Sequence, residues 1–471
     1  MADSTPIPPR SAVLRRSFRK DFPVAVRGEG VCIWDHHGKR YLDLAGSAAV
    51  NFIGHGVQEI SAAMAEQAAK LEFVHTSQFT TPVAEQYAEE LLAFAGEHFR
   101  GGAVYFTCGG SESIETALKL ARQYQVEIGQ ASRYQILSRQ QSYHGATLGA
   151  LSVSGNRRRR EVYLPMVKEF PHVGMPYCYR CAFDCTDGCR NCGQQYAAEL
   201  GEAIEALNNE SSNGEAAAFI FEPVSGATLG AVVPPPGYLQ SVADICRRHG
   251  VLLIADEVMT GMGRTGRNFA VEHWKVNPDI LVTAKGLSSG YAPLGAVIAS
   301  KKVVDAIAAG SGAFLHGFTY NAHPISLAAG RAVLRQVQEK NLVEAANSSD
   351  PGSPAAQFKS ALETLRDDTA AGELIGEVIG DVRGIGLLWA AEFVADKASK
   401  RPFPPAHNFA GRVAAAALKR GLLVYPVQGC VNGVSGDHLL LAPPAVITPN
   451  QIAWSVEQLA ASIREAQTSL L

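Results

Sequence analysis

Val251–Gly266 reads VLLIADEVMTGMGRTG, and Pro278–Gly290 reads PDILVTAKGLSSG. Each opens as an unbroken apolar run of strand length, bounded by Gly or Pro. Apolar strands without alternation belong in a sheet that is covered on both faces. Each run then releases one reactive side chain, Asp256 from the first and Lys285 from the second. Working outward, the same rhythm extends from about Gly102 to Ser300. AVYFT, YQILSR, AAFIFEPV and LGAVIAS are further short strands, and helical patterns follow from Ser111 and through Leu239–Arg248. This alternation predicts an α/β domain with a mainly parallel sheet and a ligand at the carboxyl ends of its strands.

The flanks read differently. Val24–Leu44 alternates and turns twice, which predicts a small antiparallel meander. Helices are expected over Gln58–Leu71, Pro82–Phe94 and His323–Asn341. After the turn-rich Asn347–Pro354 the pattern becomes a mixed α+β lobe, with strands at GLLVYPV and HLLLAPPAVIT and a last helix from Pro449. The expected division is 1–55 (arm and meander, part of the small domain), 56–340 (large domain, with a Cys-rich insert at 177–193) and 341–471 (the rest of the small domain). Asn208–Glu215 is a short polar linker.

Composition narrows the function. The chain has 471 residues, too many for one ordinary core. It is 47% hydrophobic and 18% charged, with a net charge of -3, which argues against nucleic acid or a membrane surface as a general partner. No apolar run is long enough to span a bilayer. The first 23 residues are basic but lack an apolar core segment, so a cytoplasmic protein with a packing arm is expected.

An Asp and a Lys at the ends of neighbouring strands suit pyridoxal phosphate (PLP). That cofactor needs a lysine amine for its Schiff base and a carboxylate to keep its pyridine nitrogen protonated. Tyr105–Arg122, YFTCGGSESIETALKLAR, supplies a strand, a Gly109-Gly110-Ser111 turn and a helix start. Free N–H groups at a helix N-terminus bind phosphate, although Ser111 as a simple N-cap fits the same residues. Gln141–Thr147, QSYHGAT, places Tyr143 just after a strand, where it can stack on a ring, with His144 beside it.

These motifs resemble those of the class III (ω-type) aminotransferases, within the fold type I PLP-dependent transferases. The likeness runs from LDLAGSAAVNFIGHG through CGGSESIETALKLAR, SYHGATLGALSVSG, FIFEPVSGATLG, ADEVMTGMGRTG and TAKGL to GFTYNAHPISLAAG and DHLLLAPPAVIT. The resemblance implies that Lys285 binds the cofactor and shuttles a proton, and that Asp256 pairs with the pyridine nitrogen. It implies Val258 on one ring face and Tyr143 on the other, Gly110 and Ser111 on the phosphate, and Glu222 in support. Thr319 would reach the phosphate of the other subunit, so a homodimer is implied, with a tetramer open. Arg264 reads as structural.

Two departures qualify the resemblance. Relatives that bind glutamate often carry an arginine before the APP segment and a gating glutamate after EPxxG; here those places hold Leu440 and Ala227. Val431–Ser435 also lacks the mobile arginine of some ω-amine relatives. Neither leucine nor glycine can fork two hydrogen bonds to a carboxylate. Small residues at Ser47-Ala48-Ala49 and apolar surface from Phe52 and Phe79 point to an amine or apolar ω-amino donor, with a 2-oxo acid such as pyruvate as acceptor. Arg157–Arg160 is either a reserve carboxylate binder or a solvated charge cluster. The alternative activity is a class III-like lyase, racemase or mutase using the same lysine.

The second departure is Cys178–Cys192, CYRCAFDCTDGCRNC, which holds five of the nine cysteines. Cys178, Cys181, Cys189 and Cys192 form two CxxC pairs, the spacing of a structural zinc site, with Cys185 spare. Reduced structural thiols or disulfides are the other readings.

Overall fold

The computed structural model describes residues 11–18, 20–183, 185, 189, 191–210, 214–368 and 375–470. Parts of the expected arm (1–10 and 19) and of the polar linker (211–213) lie outside the described residues.

A seven-stranded sheet forms the centre. Its spatial order is Ala103–Thr107, Gly295–Ala299, Ile280–Thr283, Leu252–Asp256, Glu215–Phe221, Arg133–Arg139 and His172–Val173. Only Gly295–Ala299 runs antiparallel to its neighbours, so the expectation of a mainly parallel sheet is borne out. Every residue of Leu252–Asp256 and Ile280–Thr283 is buried. Successive residues serve opposite faces. Leu252, Ile254, Ile280 and Val282 pack in one apolar cluster with the helix Gly110–Glu127, while Leu253, Ala255 and Leu281 pack in the other.

The N-terminal meander pairs Ala25–Glu29, Cys32–Asp35 and Arg40–Asp43 in antiparallel register, and Leu422–Leu423 from the C-terminal segment adds a parallel strand to its edge. The C-terminal segment also builds a four-stranded antiparallel sheet from Ile379–Ile385, Leu388–Phe393, Asp437–Leu441 and Tyr425–Gln428. Helices form where capping signals stand. Thr81 accepts from the Ala84 N–H and Pro82 opens Pro82–Ala95, while Thr448 and Gln451 make a capping box on Pro449–Thr468. Among the described residues no helix is long and apolar enough to cross a membrane.

One buried cation ties these parts together. Arg264 is 2% exposed and stands in the loop after Leu252–Asp256. It donates to the carbonyls of Asn51, Leu387, Ala442 and Pro443, and its guanidinium lies 4.9 Å over the Phe52 ring. Those carbonyls come from the N-terminal segment and the C-terminal lobe, and buried carbonyls without a donor are costly. Replacing Arg264 by Met should therefore lower the unfolding free energy by about 3 kcal/mol or more. Urea denaturation checks this, and a loss under about 1 kcal/mol would show that water or neighbouring groups replace the arginine.

Candidate active site

Because both faces of the sheet are covered, polar side chains can emerge only at strand ends. Lys285 follows Ile280–Thr283, Asp256 ends Leu252–Asp256, Glu222 follows Glu215–Phe221, and Tyr143 lies just beyond Arg133–Arg139. All four line one cavity of about 500 Å³, together with His144 and Val258. Gly110 and Ser111 line it as well.

Lys285 has a backbone φ of 41°, left-handed and strained for a residue with a side chain. Burial pushes its amine down to about 8, against the pull of Asp256 and Glu222, and Arg159 adds to the lowering. Asp256 is 5% exposed. One of its oxygens accepts the Val258 N–H at 3.1 Å, and the other lies 2.7 Å from His144 Nδ1. That bond needs the proton on Nδ1, so His144 donates to the carboxylate. The other ring nitrogen of His144 is buried without a partner. Glu222 accepts the Gly226 N–H at 3.0 Å and faces the Tyr143 N–H at 3.5 Å. Burial raises the Glu222 carboxyl, while His144 and Arg139 oppose the rise.

The helix Gly110–Glu127 starts at the cavity. Its N-cap is Gly109, and no side chain caps it. Ser111 is therefore not the N-cap that the alternative reading supposed; its hydroxyl accepts the Ala146 N–H at 3.0 Å. An 18-residue helix whose first N–H groups open uncapped on a cavity fits a phosphate. Gly110 lets Val258 pack close, since a Cβ there would stand 3.0 Å from Val258 Cγ1. The residues present thus fit PLP: an anion seat, a desolvated amine, and an oriented carboxylate within one enclosure.

Other expected residues lie elsewhere. Thr319 is exposed and outside this cavity. Ser47, Ala48, Ala49 and Phe52 do not line it; Val50 does from that segment, and Phe52 is taken up beneath Arg264. Phe79 is 62% exposed. The cysteine set also differs from the expected one. The thiols that lie mutually within 4.8 Å are Cys181, Cys185, Cys189 and Cys192. Cys185, read as spare, belongs to the group, and Cys178 does not: it offers its backbone carbonyl to Cys189 Sγ at 3.8 Å.

Two residues take parts that sequence reading did not specify. His144, expected at the cofactor beside Tyr143, is the partner of Asp256. Arg159 stood within a run, but it leaves that run's solvated face and lies 4.3 Å over the Tyr143 ring. The arginine run was itself the sequence signal, and its reading as a reserve carboxylate binder did not say which member turns inward.

Comparison with known proteins agrees with this geometry. Residues 16–463 match the family model "Aminotransferase class-III". The chain is 38% identical over 444 residues to the uncharacterized aminotransferase YodT of Bacillus subtilis, covering 94% of this chain and 95% of that one. It superposes with a TM-score of 0.84 and 37% identity on the (S)-enantioselective ω-transaminase of Thermomicrobium roseum, covering 95% and 94% of the two chains. The ω-transaminase of Pseudomonas jessenii in complex with PMP gives a TM-score of 0.84 at 29% identity, over 95% and 93%. With the family model spanning nearly the whole chain, the protein belongs to the class III aminotransferases, PLP-dependent enzymes of fold type I.

Proposed function

We propose that this aminotransferase moves an amino group from an amine or ω-amino donor to a small 2-oxo acid, in two half-reactions at one site. The observation that carries the proposal is the meeting of the Lys285 amine, the His144-oriented Asp256 carboxylate and an uncapped helix N-terminus on one cavity. When bound, PLP supplies an aldehyde that takes up amino groups and a ring that accepts the electron pair of a breaking C–H bond.

The chain's own residues would do the rest. Lys285 would hold the aldehyde between turnovers and, once released, move a proton as a base beside the substrate carbon. Asp256 would keep the ring nitrogen protonated, with His144 fixing its orientation. Tyr143 and Val258 would flank the ring, Glu222 would support it, and Gly110 and Ser111 would seat the phosphate. Thr319, exposed here, would complete the phosphate seat of a second copy, which makes a homodimer the proposed working unit.

Substrate preference follows from the wall. Val50, Val224, Ala227 and Met259 make the cavity apolar on one side, and the strand position at Leu440 offers no charge. An amine donor needs no carboxylate clamp, but a 2-oxo acid does. Arg159, next to the lining residue Tyr143 but not itself on the cavity wall, would supply a fork for it: it is half-buried, stacked on Tyr143, and has no carboxylate at ion-pair distance among the described residues. Arg157 and Arg158 engage Glu161 at 4.0 Å and Gln428 at 3.3 Å instead.

Lys285→Ala should lower turnover by about 10⁴-fold or more, and retained activity would exclude the lysine from the chemistry. Arg159→Ala should raise the KM for pyruvate about 10- to 100-fold while the reaction with an amine donor alone, followed by the cofactor's visible absorption, stays nearly unchanged. Equal losses in both half-reactions would remove Arg159 from acceptor binding. An amine with a pKa of about 8 is neutral, and so nucleophilic, only above that pH. Uptake of PLP by the apo-protein should accelerate about tenfold per pH unit below 8 and level off above it. A flat profile between pH 6 and 9 would contradict the desolvated lysine.

A further inference from the structure

Outside the catalytic cavity, the densest set of potential ligand atoms is the thiol group between the short turn Cys178–Arg180 and the helix Cys192–Asn209. Cys181, Cys185, Cys189 and Cys192 hold their sulfurs mutually within 4.8 Å, and Cys181 and Cys185 are 3.0 Å apart. A tetrahedral ion with bonds of about 2.3 Å to sulfur sets its thiolates about 3.8 Å apart, inside this spread. All nine cysteines are free, so no disulfide claims these sulfurs. A multi-iron cluster would separate its thiolates further than a single ion does.

The surroundings hold the sulfurs in place. Cys192 opens an 18-residue helix and directs its thiol to the Cys189 carbonyl at 3.4 Å. Tyr196 is buried, packs edge-on against Phe183 at 4.7 Å, and directs its hydroxyl toward Cys181 at 3.7 Å while accepting the Ala182 N–H. Such an outer contact is what orients a metal ligand.

We propose that Cys181, Cys185, Cys189 and Cys192 bind one soft divalent ion of the zinc class as a tetrathiolate. Binding forms four metal–sulfur bonds and releases four thiol protons to solvent, with no change of oxidation state. The ion is structural. The segment that carries it braces the large domain against the C-terminal sheet: Arg180 bonds Glu392 at 2.7 Å, and Lys400 bonds the Tyr179 carbonyl at 2.8 Å. Fixing the thiols fixes this brace, remote from the Lys285 cavity.

The test is metal analysis of the full-length holoenzyme purified under reductant from zinc-supplemented cells. About one zinc per chain is expected. Exchange for cobalt should give intense thiolate-to-cobalt charge-transfer absorption. Cys185→Ser should reduce retained metal to about a tenth or less, whereas Cys178→Ser should keep most of it. Absence of stoichiometric metal would overturn the site, as would equal retention by Cys185→Ser or equal loss from Cys178→Ser. The cobalt spectrum of the unmodified protein decides the matter should either variant fail to fold, and absence of charge-transfer absorption there would also overturn it.

Discussion

Everything distinctive about this molecule follows from covering the central sheet on both faces. Leu252–Asp256 and Ile280–Thr283 have no solvent face on which to carry a charge. Their polar residues are forced to the carboxyl ends, and adjacent strands bring those ends together. The same covering withdraws water. It lowers the affinity of the Lys285 amine for its proton and raises that of the Glu222 carboxyl. A lysine in water at neutral pH is almost wholly protonated and inert as a nucleophile; here the fold itself relieves that. Positioning and reactivity therefore have one cause, burial.

Burial also creates debts of unpaired backbone and charge, and these are settled between domains. Arg264 satisfies carbonyls from both the N-terminal segment and the C-terminal lobe. Glu392 lies on Leu388–Phe393 and is fully buried, where Arg180 and Arg383 reach it at 2.7 and 2.8 Å and Tyr177 adds its hydroxyl. Losing one partner from such a group leaves a charge without compensation in a poor dielectric. The C-terminal sheet is thus docked by polar groups that fit in one arrangement, whereas apolar contacts alone tolerate sliding.

What could be read in the sequence was local. The apolar runs, the Asp and Lys that end them, and the Gly-Gly-Ser turn before a helix each lie within one short segment, and each determines its own geometry. The pairing of His144 with Asp256 spans 112 residues and depends on how strands are ordered in the sheet, which no local pattern states. Phe52 is apolar on any scale, but whether it lines a pocket or lies under a guanidinium depends on Arg264, far along the chain. The cysteines show a further limit. CxxC spacing singled out Cys178, but the thiols mutually within 4.8 Å are those of Cys181, Cys185, Cys189 and Cys192.

Arg159 shows how such a limit bears on function. Four consecutive arginines cannot all face one way on a single helical turn, so a run of this kind always divides its members between environments. Asn156 caps the turn through the Arg159 N–H, and that bond sets which member points inward. Stacking on Tyr143 then holds the guanidinium by attraction to the ring face, without a carboxylate to neutralise it. A cation held by an aromatic keeps its hydrogen-bonding fork for a ligand, which one held by an aspartate would have surrendered. On the proposed reading, Tyr143 holds Arg159 so that its fork reaches past the ring edge to the acceptor's carboxylate. The absence of arginine near Leu440 is then a relocation of the charge from the strand to the loop beside the ring.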